Sequence, residues 1–352
     1  MTLISNRYNP IFAIMKGIAI ISVVLGHCPP NPFVGKFVNQ YHLAVFFFVA
    51  GYFFKEKYLD SLRMYIVRRI KSLYMPFVSF CLAFLLLHNL FYQVGIYSDP
   101  LSFYETILGG VKIVIRLACF EPLMGAMWFC SALLIVSLLS FGIMKITKGN
   151  TFYVRLFVFV GAMAIGAICC YFHIKSPYCL WQNIQICMIF YMGFVFRHIE
   201  GAFKSVRIRL ILIVISVVLV YIFTRGGIMA HLQPNNISNE NVFFLMLIAL
   251  VGCIGVYSIS SLLSEMNVGK MLAIVGDYSF SIMALHFFAF KVIILIQCFV
   301  FGQSLSKLSL FPCFFTSNYW WVAYVLAGVL LPIIASKCYH LLIDKLKENF
   351  DK

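Results

Sequence analysis

Ten apolar runs with few or no charges, separated by short polar or basic connections, set the pattern of this chain: about 11 to 28, 38 to 54, 74 to 94, 124 to 144, 156 to 172, 178 to 196, 210 to 224, 241 to 261, 273 to 299 and 319 to 342. Each is near the roughly 20 residues a helix needs to cross a bilayer, and a helix satisfies its own backbone hydrogen bonds there. The pattern predicts an all-α integral membrane protein, a bundle of about ten transmembrane helices. A lysine interrupts the first run and no small-residue cleavage pattern follows it, so that run is expected to remain as a span. No connection is long enough for a soluble domain, which makes 1–352 a single transmembrane domain. The longest, near 95 to 123, carries ETILGGVKIVIRLACF, an amphipathic piece suited to lying along the membrane surface.

Composition agrees with this solvent: 62% of the 352 residues are hydrophobic and 11% are charged. The basic residues then set orientation. Alternate connections counted from the N-terminus hold 18 Lys and Arg, the other set holds 6, and Lys16, Lys291 and Lys337 fall inside spans. Both termini are therefore expected in the cytoplasm, with the chain in the plasma (inner) membrane if the source is bacterial. The net charge of +15 reads as topology signal and attraction to lipid headgroups, and no nucleic-acid partner is expected. The twelve cysteines show no C-x-x-C pair and no ligand spacing, so they read as small buried hydrophobes, and no metal site is expected. Asn236-Ile237-Ser238 formally matches a glycosylation sequon.

Ionisable side chains at membrane depth are costly and mark functional sites. In MKGIAIISVVLGH, residues 15 to 27, Lys16 and His27 are eleven helical steps apart. Eleven steps of about 100° end about 20° from three full turns, so both face one way, about 16 Å apart along the axis. A cation at the inner end and an acid/base group at the outer end suit a long substrate threaded between them. Acyl-CoA is such a molecule, with an anionic head and an arm ending in a thioester. Imidazole can remove a proton from an attacking hydroxyl or take the acyl group itself. Arg68, Arg69 and Lys71, at the inner start of the third run, form a second basic cluster where phosphates can dock. His42, beside the outer end of the first span, and His286 and Trp128 are further candidates for lining the site. His88 sits near a span end and is left out of it. Asp277 reads as the ion-pair partner of a loop cation.

Five stretches in order, KGIAIISVVLGH, YHLAVFFFVAGYFF, RRIKSLYMP, GAMWFCSALL and YSFSIMALHFF, together resemble the acyltransferase family 3 membrane proteins, which include sugar O-acetyltransferases and fucose 4-O-acetylase-like enzymes. The resemblance runs across nearly the whole chain. It implies transfer of acetyl, or a related acyl group, from cytoplasmic acetyl-CoA to a hydroxyl of a glycan or lipid-linked sugar, with no bound cofactor. The family usually pairs an arginine with a histidine at this spacing, which places donor binding on Lys16 and catalysis on His27. Lysine keeps the charge but lacks the fork that grips two phosphate oxygens. Where family members often carry a further arginine this chain has Ser72, which makes Arg69 and Lys71 the preferred donor-binding pair. His286 stands where the family commonly has a histidine. A membrane-bound O-acyltransferase of another family and a transporter or flippase for a lipid-linked saccharide are the rival readings; H-x-x-x-x-D and G-x-S-x-G signatures are absent.

Overall fold

A computed structural model describes residues 8–228, 232 and 242–350, so the sequon at Asn236 lies outside the described residues. Among these there are helices and connections but no strand. The α-helices run α1 Pro10–His27, α2 Pro32–Asn39, α3 His42–Tyr52, α4 Leu62–Arg69, α5 Met75–Leu86, α6 His88–Gln93, α7 Phe103–Arg116, α8 Trp128–Ile146, α9 Phe152–Tyr171, α10 Leu180–Ile199, α11 Val206–Arg225, α12 Val242–Leu263, α13 Asn267–Asp277, α14 Ser279–Val300 and α15 Trp320–Phe350. Ten helical segments among the described residues are long and apolar enough to cross a membrane, as the sequence predicts.

α1 is the central post. Its start is set by Asn9, whose side chain accepts from the Ile11 N–H at 3.0 Å, and by Pro10 at the first helical position. Pro29 and Pro30 stop it just past His27. α2, α3, α12, α13, α14 and α15 all pack against it, which is why it is apolar around most of its circumference. α9 and α11 lie outside and turn most of their side chains outward.

Small residues decide how closely the helices approach, because packing rather than apolar burial holds helices together in lipid. A Cβ on Gly51 of α3 would sit 1.8 Å from the Phe190 carbonyl oxygen of α10, and one on Gly193 would sit 1.9 Å from that of Phe48. Gly17 and Gly276 form a second reciprocal contact, between α1 and α13, where added Cβ atoms would lie 2.1 Å from Leu272 O and 1.8 Å from Ala13 O. That contact positions Asp277 beside Lys16.

Three spans differ from their sequence-based outlines. The second is broken at Gln40 and Tyr41, and the Gln40 amide donates to Ile228 O at 2.7 Å and Thr224 Oγ1 at 3.2 Å. The third begins at Leu62 rather than 74, so Arg68 and Arg69 stand inside the helix instead of at its mouth. A π-helical turn over Ile70–Tyr74 joins α4 to α5. Pro76 accounts for it: its ring would clash with the carbonyl four residues back and it has no N–H to donate, so the turn widens. The ninth breaks at Tyr278, and α13 folds back along α1 instead of extending the crossing.

α7 begins with a capping box in which Ser102 and Glu105 satisfy each other's backbone. Only Gly109 and Ile113 are buried, while Phe103, Tyr104, Ile107 and Ile115 are exposed. A helix with this surface suits the membrane interface.

Candidate active site

A cavity of about 450 Å³ opens on the N-terminal side of the bundle. Lys16, Lys55, Arg68 and Arg69 line it together with Tyr58 and Ser72. Its apolar walls are Phe46, Val49 and Ala50 of α3 with Phe53 just past its end, Phe129, Cys130 and Leu133 of α8, and Phe280 and Met283 of α14. The α1 cation and the cluster before Pro76, far apart in sequence, thus share one chamber. Lys71 lies outside it, on an adjoining shallow groove with Arg63, Arg68 and Ser72.

Electrostatics in this chamber are only partly balanced. Lys16 Nζ is 3.9 Å from Asp277 Oδ1, and Tyr8 Oη donates to Asp277 Oδ2 at 3.1 Å. Asp277 therefore partners the α1 lysine, where the sequence pointed to a loop cation. Burial first, and then the neighbouring Asp277 carboxylate, push the Tyr8 phenol up. Arg68 donates to Tyr58 Oη at 2.6 Å, and the Arg69 guanidinium lies 5.0 Å from the Tyr65 ring. Arg69 Nε is a buried donor with no acceptor. Such a donor costs free energy until an acceptor fills it, and in a chamber this basic the fitting acceptor is an anion.

At the far end of α1 the His27 ring meets that of His286, and His42 starts α3 nearby in the chain. The His27 ring is stacked 5.3 Å from that of His286 and meets the Phe287 ring edge-on at 4.6 Å. His286 Nδ1 is 2.9 Å from Ile282 O and 3.1 Å from Met283 O; His42 Nδ1 is 2.6 Å from Val38 O. Carbonyl oxygens only accept, so both Nδ1 atoms carry hydrogen and both Nε2 atoms present lone pairs. His286 Nε2 is buried and unpartnered. Neither His27 nitrogen makes a hydrogen bond to the described residues, and the residue is half-buried but does not line the basic chamber.

Chamber and histidines are joined by helix periodicity. α1 carries Lys16 and His27 on one face. α3 carries His42 one turn from Phe46, with Val49, Ala50 and Phe53 continuing the stripe. α14 carries Met283 one turn from His286 and Phe287. Three helices therefore each hold one chamber wall and one histidine along a common seam.

A second cavity of about 430 Å³ lies on the far side, lined by Arg116, Cys119, Gly125, Trp128, Ser131, Ala132, Tyr178 and Asn183. Trp128 belongs to this cavity and not to the basic chamber. A Cβ on Gly125 would be 3.8 Å from Phe287, the ring against His27. The first turns of α8 separate the two spaces: Phe129, Cys130 and Leu133 face one, and Trp128, Ser131, Ala132 and Ile135 the other.

Beside this region stands a pair absent from the sequence-based site. His88 Nδ1 is 2.9 Å from Glu121 Oε2, and His88 Nε2 is 2.9 Å from Asp99 O. Because Asp99 O accepts from Nε2–H, the bond to Glu121 holds one further shared proton. The Tyr97 ring stacks on His88 at 4.5 Å, and burial, then the neighbouring Glu121, push the Tyr97 phenol up. The residues are 33 apart in sequence, and no local pattern pairs them.

No curated protein and no solved structure matches the chain. The acyltransferase domain model of family 3 matches residues 9–337, nearly its whole length. With ten membrane-crossing helices around a basic chamber, this match means that the chain belongs to acyltransferase family 3 and is a multi-pass membrane acyltransferase.

Proposed function

We propose that the protein transfers an acyl group, most simply acetyl, from cytoplasmic acyl-CoA to a hydroxyl of a cell-surface or lipid-linked carbohydrate beyond the plasma membrane, as one domain over residues 1–352. The observation that carries the reading is the seam along which α1, α3 and α14 each join the basic chamber to a histidine. The nucleotide phosphates sit on Lys16, Arg68 and Arg69, with Lys55 beside them and Lys71 at the rim. The pantetheine arm follows the apolar walls toward Met283, and the thioester reaches His27.

His27 acts as general base. It takes the proton of the acceptor hydroxyl as that oxygen bonds to the thioester carbonyl carbon; the C–S bond then breaks, and the imidazolium returns the proton to the departing CoA thiolate. His286 and His42 keep the surroundings neutral and apolar and hold their own tautomers through backbone carbonyls. The far cavity, with the Trp128 and Tyr178 rings and the Asn183 amide, receives the sugar.

Purified protein in nanodiscs, given labelled acetyl-CoA and a panel of saccharide acceptors, tests this. His27→Ala is expected to abolish transfer while CoA still binds. Donor binding without acyl loss to any acceptor, together with saccharide movement across vesicles, would favour transport instead. Full turnover by the His27 variant would remove the catalytic assignment.

A further inference from the structure

The connection between α14 and α15 is pinned over the end of α1 by buried polar side chains. Lys291 of α14 donates to Leu308 O at 2.9 Å and to Leu310 O at 2.7 Å. Gln297, further along α14, donates to Phe315 O at 2.7 Å and accepts from Tyr324 Oη at 2.8 Å, and Tyr324 Oη in turn accepts from the Phe314 N–H at 3.1 Å. All three side chains are buried, where a polar group left without a partner is costly, so the chain is held on both sides of Phe311. The Cys313 thiol meets the His27 carbonyl oxygen at 3.5 Å, which sets the connection against α1 itself.

Phe311 is the side chain this clamp delivers. Its ring packs on Phe287 at 4.6 Å between centroids, and Phe287 meets the His27 ring edge-on at 4.6 Å and the His286 ring at 4.2 Å. Gly125, which lines the far cavity, approaches the same two rings: a Cβ there would be 3.8 Å from Phe287 and 3.9 Å from Phe311. Neither ring lines that cavity. The two rings thus stand between the Gly125 wall of the far cavity and His27. Phe287 is 2% exposed and Phe311 45%, so Phe311 can be cut back without emptying the core.

We propose that Phe311 holds Phe287 over His27 as an aromatic gate that keeps water from the thioester until an acceptor fills the far cavity. The gate deepens the reading of His27 as general base and rests on it. Phe311 is a positioning residue, acting through Phe287. Water admitted to His27 would lose a proton to the imidazole as its oxygen bonds to the thioester carbonyl carbon; the C–S bond would break and the imidazolium would protonate the CoA thiolate, leaving the free acid and CoA. Closing the site against water prevents that loss. A sugar in the far cavity brings binding energy with which to move the rings aside, and water brings none.

Protein in nanodiscs, treated briefly with diethyl pyrocarbonate and mapped by mass spectrometry, reads access to His27 without any substrate. Phe311→Ala should raise the rate of His27 modification several-fold and leave that of the buried His88 unchanged, and Phe311→Tyr, which keeps the ring, should match wild type. With labelled acetyl-CoA and no saccharide, Phe311→Ala should release acetate several-fold faster at an unchanged CoA Kd, and adding His27→Ala should abolish the release. Equal His27 modification in wild type and Phe311→Ala, a rise shared by His88 or by Phe311→Tyr, or acetate release held at the wild-type rate in protein that cleaves acetyl-CoA would each overturn the gate. If no form cleaves acetyl-CoA while His27 modification still rises in Phe311→Ala alone, the gate over His27 stands and the assignment of His27 as base fails.

Discussion

Replacing Arg69 by lysine separates charge from geometry in the basic chamber. The substitution keeps the positive charge but removes Nε, the buried donor without an acceptor. If a CoA phosphate fills that donor, its loss removes a hydrogen bond between charged groups, about 1.5–3 kcal/mol, or about a 10- to 150-fold weaker Kd. Folding should lose at most the guanidinium contact on the buried Tyr65 ring, worth about 2 kcal/mol when desolvated, and lysine keeps a cation there. The thioester reacts at the other end of the seam, so kcat at saturating donor should stay within a few-fold. Calorimetric titration of the nanodisc-embedded protein with CoA measures the first effect, and acetyl-pantetheine, which lacks the nucleotide phosphates, supplies the control. Binding of acetyl-pantetheine should be equal in wild type and variant. Unchanged CoA affinity in Arg69→Lys, or an equal loss for acetyl-pantetheine, would refute phosphate recognition at this nitrogen.

Gly51→Ala drives a methyl group into the Phe190 carbonyl, and overpacking of this kind costs about 1–3 kcal/mol; a lower melting temperature in detergent checks it. Glu121→Leu strands the buried His88 nitrogen and should cost about 1–3 kcal/mol, whereas Glu121→Gln, which can still donate to Nδ1, should keep most of the stability; paired thermal melts distinguish them. The Glu105 carboxyl is held below its ordinary value by the Ser102 backbone N–H and then by the Ser102 hydroxyl. A depressed carboxylate stabilises the fold above its unfolded value near 4.5 and loses that contribution as pH falls through the lower folded value. The first turn of α7 should therefore exchange amide hydrogens faster at pH 3 than at pH 6, after correction for intrinsic rates, and Glu105→Gln should remove the difference.

The ten crossings were legible because apolar length is what the bilayer demands. The shared face of Lys16 and His27 followed from helix period alone, and the stacking of His27 on His286 brings together two residues that the sequence singled out separately. Other features depended on packing that no local pattern encodes. Gln40 and Tyr41 break the second span because partners on α11 and in the connection after it satisfy the Gln40 amide. Asp277 finds Lys16 only because two glycines let α13 lie against α1. His88 looked like a span-end residue until Glu121, near the far end of the connection that follows its span, supplied its partner. Lys55 and Tyr58 joined the chamber through the fold of the second connection, where Lys55 counts in sequence only as one of the orienting cations.

The thin wall made by the start of α8 has an evolutionary corollary. Interleaved positions along one short stretch answer to two different compartments, so a change at 130 or 133 is felt by one and a change at 131 or 135 by the other. Selection can therefore retune the lining of either space independently, and a combinatorial library over seven codons would explore both without moving the helix that carries them.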